Sequence, residues 1–98
     1  MKWKIVMSVN AQKDLEQIYK YIRYVLFVPV TARKQTDRIT EKISDLSDFP
    51  KMYPENENGI RKMPVDNYLV FYELDESMGS VIVLRIVYGG IDLNNMSL

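Results

Sequence analysis

Arg85 is the residue whose placement most suggests chemistry. It stands inside the apolar run Val81-Ile82-Val83-Leu84-Arg85-Ile86-Val87, where a permanently charged guanidinium would cost several kcal/mol if buried without a partner. Read as a strand of period two, the run places Arg85 with Val81, Val83 and Val87, and places Ile82, Leu84, Ile86 and Tyr88 on the opposite face. With the second set assigned to the core, Arg85 projects from an uncovered sheet face. Arg61, near the start of an earlier strand, is its expected companion there, with Lys62 and Lys51 close in sequence. Two guanidinium forks on one open face make an oxyanion or phosphate site. The competing reading is a structural ion pair between Arg85 and an internal carboxylate such as Glu73, and residue types alone weigh the two about equally. Tyr88 closes the Arg85 strand just before Gly89-Gly90, which can bend the chain and re-aim its hydroxyl. Parity puts Tyr88 on the face opposite Arg85 unless a bulge intervenes. Tyr68, Phe71 and Tyr72 read as core or cross-strand packing, and Tyr19, Tyr21 and Tyr24 as side chains that pack along the first helix or snorkel from it.

Composition narrows the chemistry further. The 98-residue chain has neither cysteine nor histidine, which removes thiolate nucleophiles, Cys/His zinc sites, Ser-His-Asp triads and any base titrating near neutrality. Thirteen basic residues balance thirteen acidic ones, so no global electrostatic footprint for nucleic acid exists and any phosphate contact must be local. The balance is uneven along the chain: residues 1–49 hold nine basic and six acidic side chains, residues 50–98 four and seven. No apolar stretch approaches the roughly 18 residues of a membrane span, and the Met1 to Lys4 start lacks the apolar core of a signal peptide. A cytoplasmic protein with no cofactor, no metal and no membrane contact is expected.

The elements that must position these residues follow from periodicity. Lys2 to Met7 alternates as an opening strand. From Ala11 the apolar positions Leu15, Ile18, Ile22 and Val25/Leu26 form the stripe of an amphipathic helix, which Ser8 or Asn10 caps and which ends near Phe27, ahead of Pro29. A second helix buries Ala32, Ile39, Ile43, Leu46 and Phe49 and stops at Pro50. Residues 51–59 read as a loop, residues 60–65 as a short strand, and residues 67–74 and 80–87 as an antiparallel pair joined by the 75–79 hairpin. The order β-α-α-β-β-β gives a single α+β domain over residues 1–98, with two N-terminal helices packed on one face of an antiparallel sheet.

These pieces in this order resemble the RelE/ParE toxin superfamily of type II toxin-antitoxin systems. The resemblance rests on Ala11-x-x-Asp14-Leu15-x-x-Ile18-x-x-Tyr21-Ile22, Pro29-x-x-Ala32, Ile39 to Leu46 with Phe49-Pro50, Arg61 before Asn67-Tyr68-Leu69-Val70-Phe71-Tyr72, and Val83 to Gly89. It implies a toxin neutralised by a small cognate antitoxin, with operator DNA bound only through the pair. It also implies two target classes: RelE-like members cleave ribosome-bound mRNA without a metal, and ParE-like members poison DNA gyrase. Arg61 and Arg85 match the arginines that recur in the superfamily. In the ribonuclease reading both are catalytic, stabilising the phosphorane, and Tyr88 relays a proton although an unperturbed tyrosine ionises only near pH ~10. Where many relatives carry His-Gly-Arg-Arg-Asp, this chain has Tyr88-Gly89-Gly90-Ile91-Asp92. Loss of that histidine and both arginines weakens either function at this end of the chain, and in sequence texture the ParE-like reading is slightly favoured over the ribonuclease. A non-toxic relative serving as corepressor is the third reading.

Overall fold

The computed structural model describes residues 2–90. Its elements are β1 (Lys4–Met7), α1 (Val9–Lys20) running into a π-helical turn (Tyr21–Val25), α2 (Pro29–Asp45), β2 (Arg61–Val65), β3 (Tyr68–Asp75) and β4 (Ser80–Tyr88). The sheet order is β1-β4-β3-β2. The β-α-α-β-β-β order and the α+β class are those expected from the sequence. The hairpin-connected strands β2, β3 and β4 are antiparallel. The first strand differs, because β1 enters parallel to β4 and the sheet is mixed. The two helices and then β2 and β3 lie between them in the chain, more than the crossover length that parallel neighbours require.

The helices start and stop where local chemistry dictates. The Ser8 Oγ accepts from the Ala11 N–H at 3.0 Å, an N-cap for α1, and donates to the Leu84 carbonyl at 2.9 Å, tying that cap to the sheet. Pro29 opens α2, where its missing N–H and fixed φ cost nothing. Between the helices Phe27 has φ +59°, and the Val28 N–H reaches back to the Ile22 carbonyl at 3.1 Å. This is the left-handed closure that usually falls to glycine.

The core lies between the helices and one sheet face. Ala11, Ile39, Ile43 and Leu46 meet Met63, Val65, Val70, Tyr72, Val81, Val83 and Ile86. The Tyr72 hydroxyl donates to the Pro50 carbonyl at 2.8 Å, satisfying a polar group in the apolar interior. Phe49, expected in the stripe of the second helix, is instead exposed, because α2 ends at Asp45 and the chain has already turned.

The expected facing of β4 needs correction. Phe71 pairs with Arg85 and Tyr72 with Val83, so Leu84 is an extra residue in a bulge. Parity switches there: Val81 and Val83 before the bulge and Ile86 after it all face the helices, whereas strict period two had placed Val81 and Val83 on the outer face. Arg85 remains on the outer face, now in company with Ile82 and Val87.

Candidate functional site

Arg85 lies one strand away from Lys62, with Phe71 between them in register on the outer face. Its guanidinium nevertheless turns around the free edge of β4. β1 ends at Met7 opposite Val83, so from Leu84 onward that edge of β4 has no strand partner among the described residues, and α1 covers it. There Asp14 accepts from Arg85 Nε at 2.7 Å and Nη2 at 3.1 Å, and from the Ile86 backbone N–H at 2.9 Å. One carboxylate thereby closes a strand edge and neutralises the arginine, with the Asp14 and Arg85 side chains 16% and 31% exposed. Hydrogen bonding to Asp14 raises the Arg85 pKa beyond its already high ordinary value. The alternative of an ion pair is therefore realised, but with Asp14 rather than Glu73. Sequence reasoning missed Asp14 as a partner, although the signal was present: an acid one residue before Leu15, inside the stripe that also holds Ala11 and Ile18.

Arg61 does not join Arg85. Arg61 pairs in register with Tyr72, whose ring is in the core. Residues directly opposite in an antiparallel pair share a face, so Arg61 points to the helix side of the sheet and Arg85 to the other. The expected two-arginine surface is not assembled. Arg61 Nη1 donates to the Tyr53 carbonyl at 2.5 Å, Nη2 lies 3.8 Å from Glu55 Oε2, and the side chain is only 12% exposed. Its head borders a polar hollow shared with Lys51, Glu55, Glu73 and Glu76. Lys51 is itself paired with Glu76 at 3.1 Å, and the three carboxylates outnumber the two cations, so the hollow is a poor collector of phosphate.

Tyr88 is exposed and packs edge-on against Tyr68, the ring centroids 5.8 Å apart. Burial raises the Tyr68 pKa, and the neighbouring Tyr88 contributes in the same direction. Tyr88 borders an apolar groove with Ile18, Tyr21, Ile22, Leu26 and Tyr68, on the face opposite Arg85. The three residues singled out from the sequence thus stand at three separate places.

Two larger features take their place. A groove lined chiefly by Ile5, Met7, Leu15, Tyr19 and Ile43 runs between α1, α2 and β1, beside the outer edge of β1, which is terminal in the sheet. The second is the tip of the helical hairpin. Tyr21, Tyr24, Val25, Leu26, Phe27, Val28 and Val30 are all exposed there. The sequence left Tyr21 and Tyr24 to pack or to snorkel, and the structure has both half-exposed, because helical spacing does not show where the partner helix ends. Arg23 lies over the rings of Tyr19 and Tyr24, 5.8 and 5.3 Å from their centroids, and donates to the Tyr19 hydroxyl at 2.6 Å.

With this geometry in hand, comparison with known proteins decides the family. The profile described as ParE toxin of type II toxin-antitoxin system, parDE, matches residues 5–93. The chain belongs to the ParE toxin family. No curated protein sequence matches it. Among solved structures, the chromosomal ParDE system of Pseudomonas aeruginosa superposes with a TM-score of 0.77 at 21% identity, over 89% of this chain and 96% of the other. The RelBE2 complex of Mycobacterium tuberculosis gives 0.64 at 18% identity, over 90% and 92%. A mutant of E. coli toxin RelE in the free state gives 0.61 at 12% identity, over 92% and 86%. This ParE-family fold, two helices on a four-stranded sheet, is thus shared by structures named for ParE and for RelE. Among the described residues no helix is long and apolar enough to cross a membrane.

Proposed function

We propose that this chain is the growth-inhibiting toxin of a type II module, acting in the cytoplasm on DNA gyrase and neutralised by a cognate antitoxin. The observation that carries the choice of target is the separation of Arg61 and Arg85. A metal-independent ribonuclease needs preorganised cations converging on one phosphate. Here the guanidinium of Arg85 is held by Asp14 at the β4 edge, and that of Arg61, from the other side of the sheet, is held by the Tyr53 carbonyl beside Glu55. In the gyrase reading both arginines are structural, and the toxin acts by binding. The ParDE system of P. aeruginosa, the best superposition of those compared above, points the same way.

The antitoxin site we assign to the groove between β1, α1 and α2. An extended segment added to the free edge of β1 would satisfy its open backbone groups, and an amphipathic helix would cover Leu15, Tyr19 and Ile43. Operator DNA is then bound only through the complex. The test is inducible expression with parallel readouts of plasmid supercoiling, mRNA integrity and translation. Growth arrest with gyrase inhibition and intact mRNA is expected. Rapid cleavage of translated mRNA would replace this reading with the ribonuclease one, and unimpaired growth would replace it with a corepressor.

A further inference from the structure

The tip of the helical hairpin is built at a cost to the fold. Phe27 holds φ +59° at the position after the π-helical turn. A non-glycine residue there is strained by roughly 1–2 kcal/mol, and its ring, 79% exposed, recovers none of that cost by packing. Around it Tyr24, Val25, Leu26 and Val30 are also exposed, a concentration of large apolar side chains of the kind that marks interaction surfaces. Among residues 20–34 the charged side chains are Lys20, Arg23, Arg33 and Lys34, and Lys20 is paired with Glu16 at 2.7 Å. In a chain of zero net charge, an apolar patch flanked by Arg23, Arg33 and Lys34 selects a partner that is apolar at its centre and acidic at its rim. Aromatics and arginine are the residue types that anchor protein interfaces.

We infer that the Tyr24–Val30 hairpin tip is the surface by which this toxin docks on its target, Phe27 and Tyr24 entering an apolar pocket of gyrase bordered by carboxylates, with Arg23, Arg33 and Lys34 steering the approach. The inference rests on the gyrase reading above and adds the surface through which it operates. The tip lies beyond the groove assigned to the antitoxin, so the two occupants are separable.

Phe27→Gly tests it without endangering the fold, since glycine suits the backbone at that position. A second variant, Arg33→Glu with Lys34→Glu, reverses the charge on the exposed second turn of α2. The purified proteins, with circular dichroism confirming the fold, are compared in a gyrase supercoiling assay and in direct binding to gyrase. Wild-type inhibition with at least a tenfold loss for Phe27→Gly, and a loss for the charge-reversed variant that shows mainly in the association rate, is the expected result. A wild-type protein inert toward gyrase refutes the target reading itself. Wild-type inhibition that both variants retain in full refutes the docking surface alone. Three other results would each assign the tip to another occupant and overturn the inference: binding of wild-type protein to phosphatidylcholine/phosphatidylglycerol vesicles that Phe27→Gly abolishes, self-association that Phe27→Gly abolishes, or a loss of antitoxin affinity with gyrase inhibition unchanged.

Discussion

Asp14→Ala should be among the most damaging single changes outside the apolar core. The carboxylate accepts three hydrogen bonds, from Arg85 Nε, Arg85 Nη2 and the Ile86 N–H. Truncation leaves the Ile86 N–H without an acceptor on an edge that β1 does not reach, an orphaned donor worth about 1–3 kcal/mol. It also strands the Arg85 charge. Full burial would make that loss about 3–5 kcal/mol, but Arg85 is 31% exposed, and water screening reduces it to about 1 kcal/mol. The expected total is about 2–4 kcal/mol. Asp14→Asn keeps one acceptor oxygen and should cost about half as much. Arg85→Met keeps the aliphatic stem and leaves Asp14 on the Ile86 N–H, so it should cost about 1 kcal/mol. The double variant measures the coupling, expected near 1 kcal/mol. Urea unfolding at pH 7, followed by Trp3 fluorescence and far-ultraviolet circular dichroism, reads each value at constant m. If Asp14→Ala unfolds within about 0.5 kcal/mol of wild type with m unchanged, the carboxylate does not hold the β4 edge and the structural account of Arg85 falls.

Tyr72→Phe removes the hydroxyl that donates to the Pro50 carbonyl and should cost about 1–2 kcal/mol in the same denaturation experiment. Burial holds the Tyr72 and Tyr68 pKa values above the ordinary tyrosine value, so the unfolded chain ionises first. Their contribution is complete below pH ~10 and is lost as pH rises through the folded-state values, and Tyr72→Phe should shallow that alkaline loss. At the acid end, hydrogen bonds from Arg38 and then Gln35 hold the Asp66 carboxyl below its usual range. Its stabilisation is present above pH ~4 and disappears as pH falls through its depressed value, so Asp66→Asn should reduce the acid sensitivity of the melting temperature. An unaltered acid limb would show that the pair contributes nothing. Phe27→Gly relieves the left-handed strain at the price of added freedom in the unfolded chain, and should raise stability by up to about 1 kcal/mol. A fall in the urea midpoint would mean that the ring packs in solution.

Element order and class were legible in the sequence because they depend on local chemistry. The 3.6-residue stripes of α1 and α2, the Ser8 cap, Pro29 and Pro50 as boundaries, and the β-branched runs of β3 and β4 are read within a few residues of one another. Arg85 could be picked out as an anomaly for the same reason. Its surroundings could not, because a single extra residue at Leu84 reverses the facing of Val81 and Val83, and a bulge depends on how two strands align rather than on either strand alone. The partner of Arg85 is 71 residues away on α1, brought close only because β1 stops at Met7 and leaves an edge for that helix to close. The opposed faces of Arg61 and Arg85 follow from register across β3, which spacing along the chain does not encode. The exposed hairpin tip is likewise a tertiary fact: the sequence supplies the apolar residues from Tyr21 to Val30, and only the extent of the sheet and the packing of α1 on α2 decide that nothing among the described residues covers them.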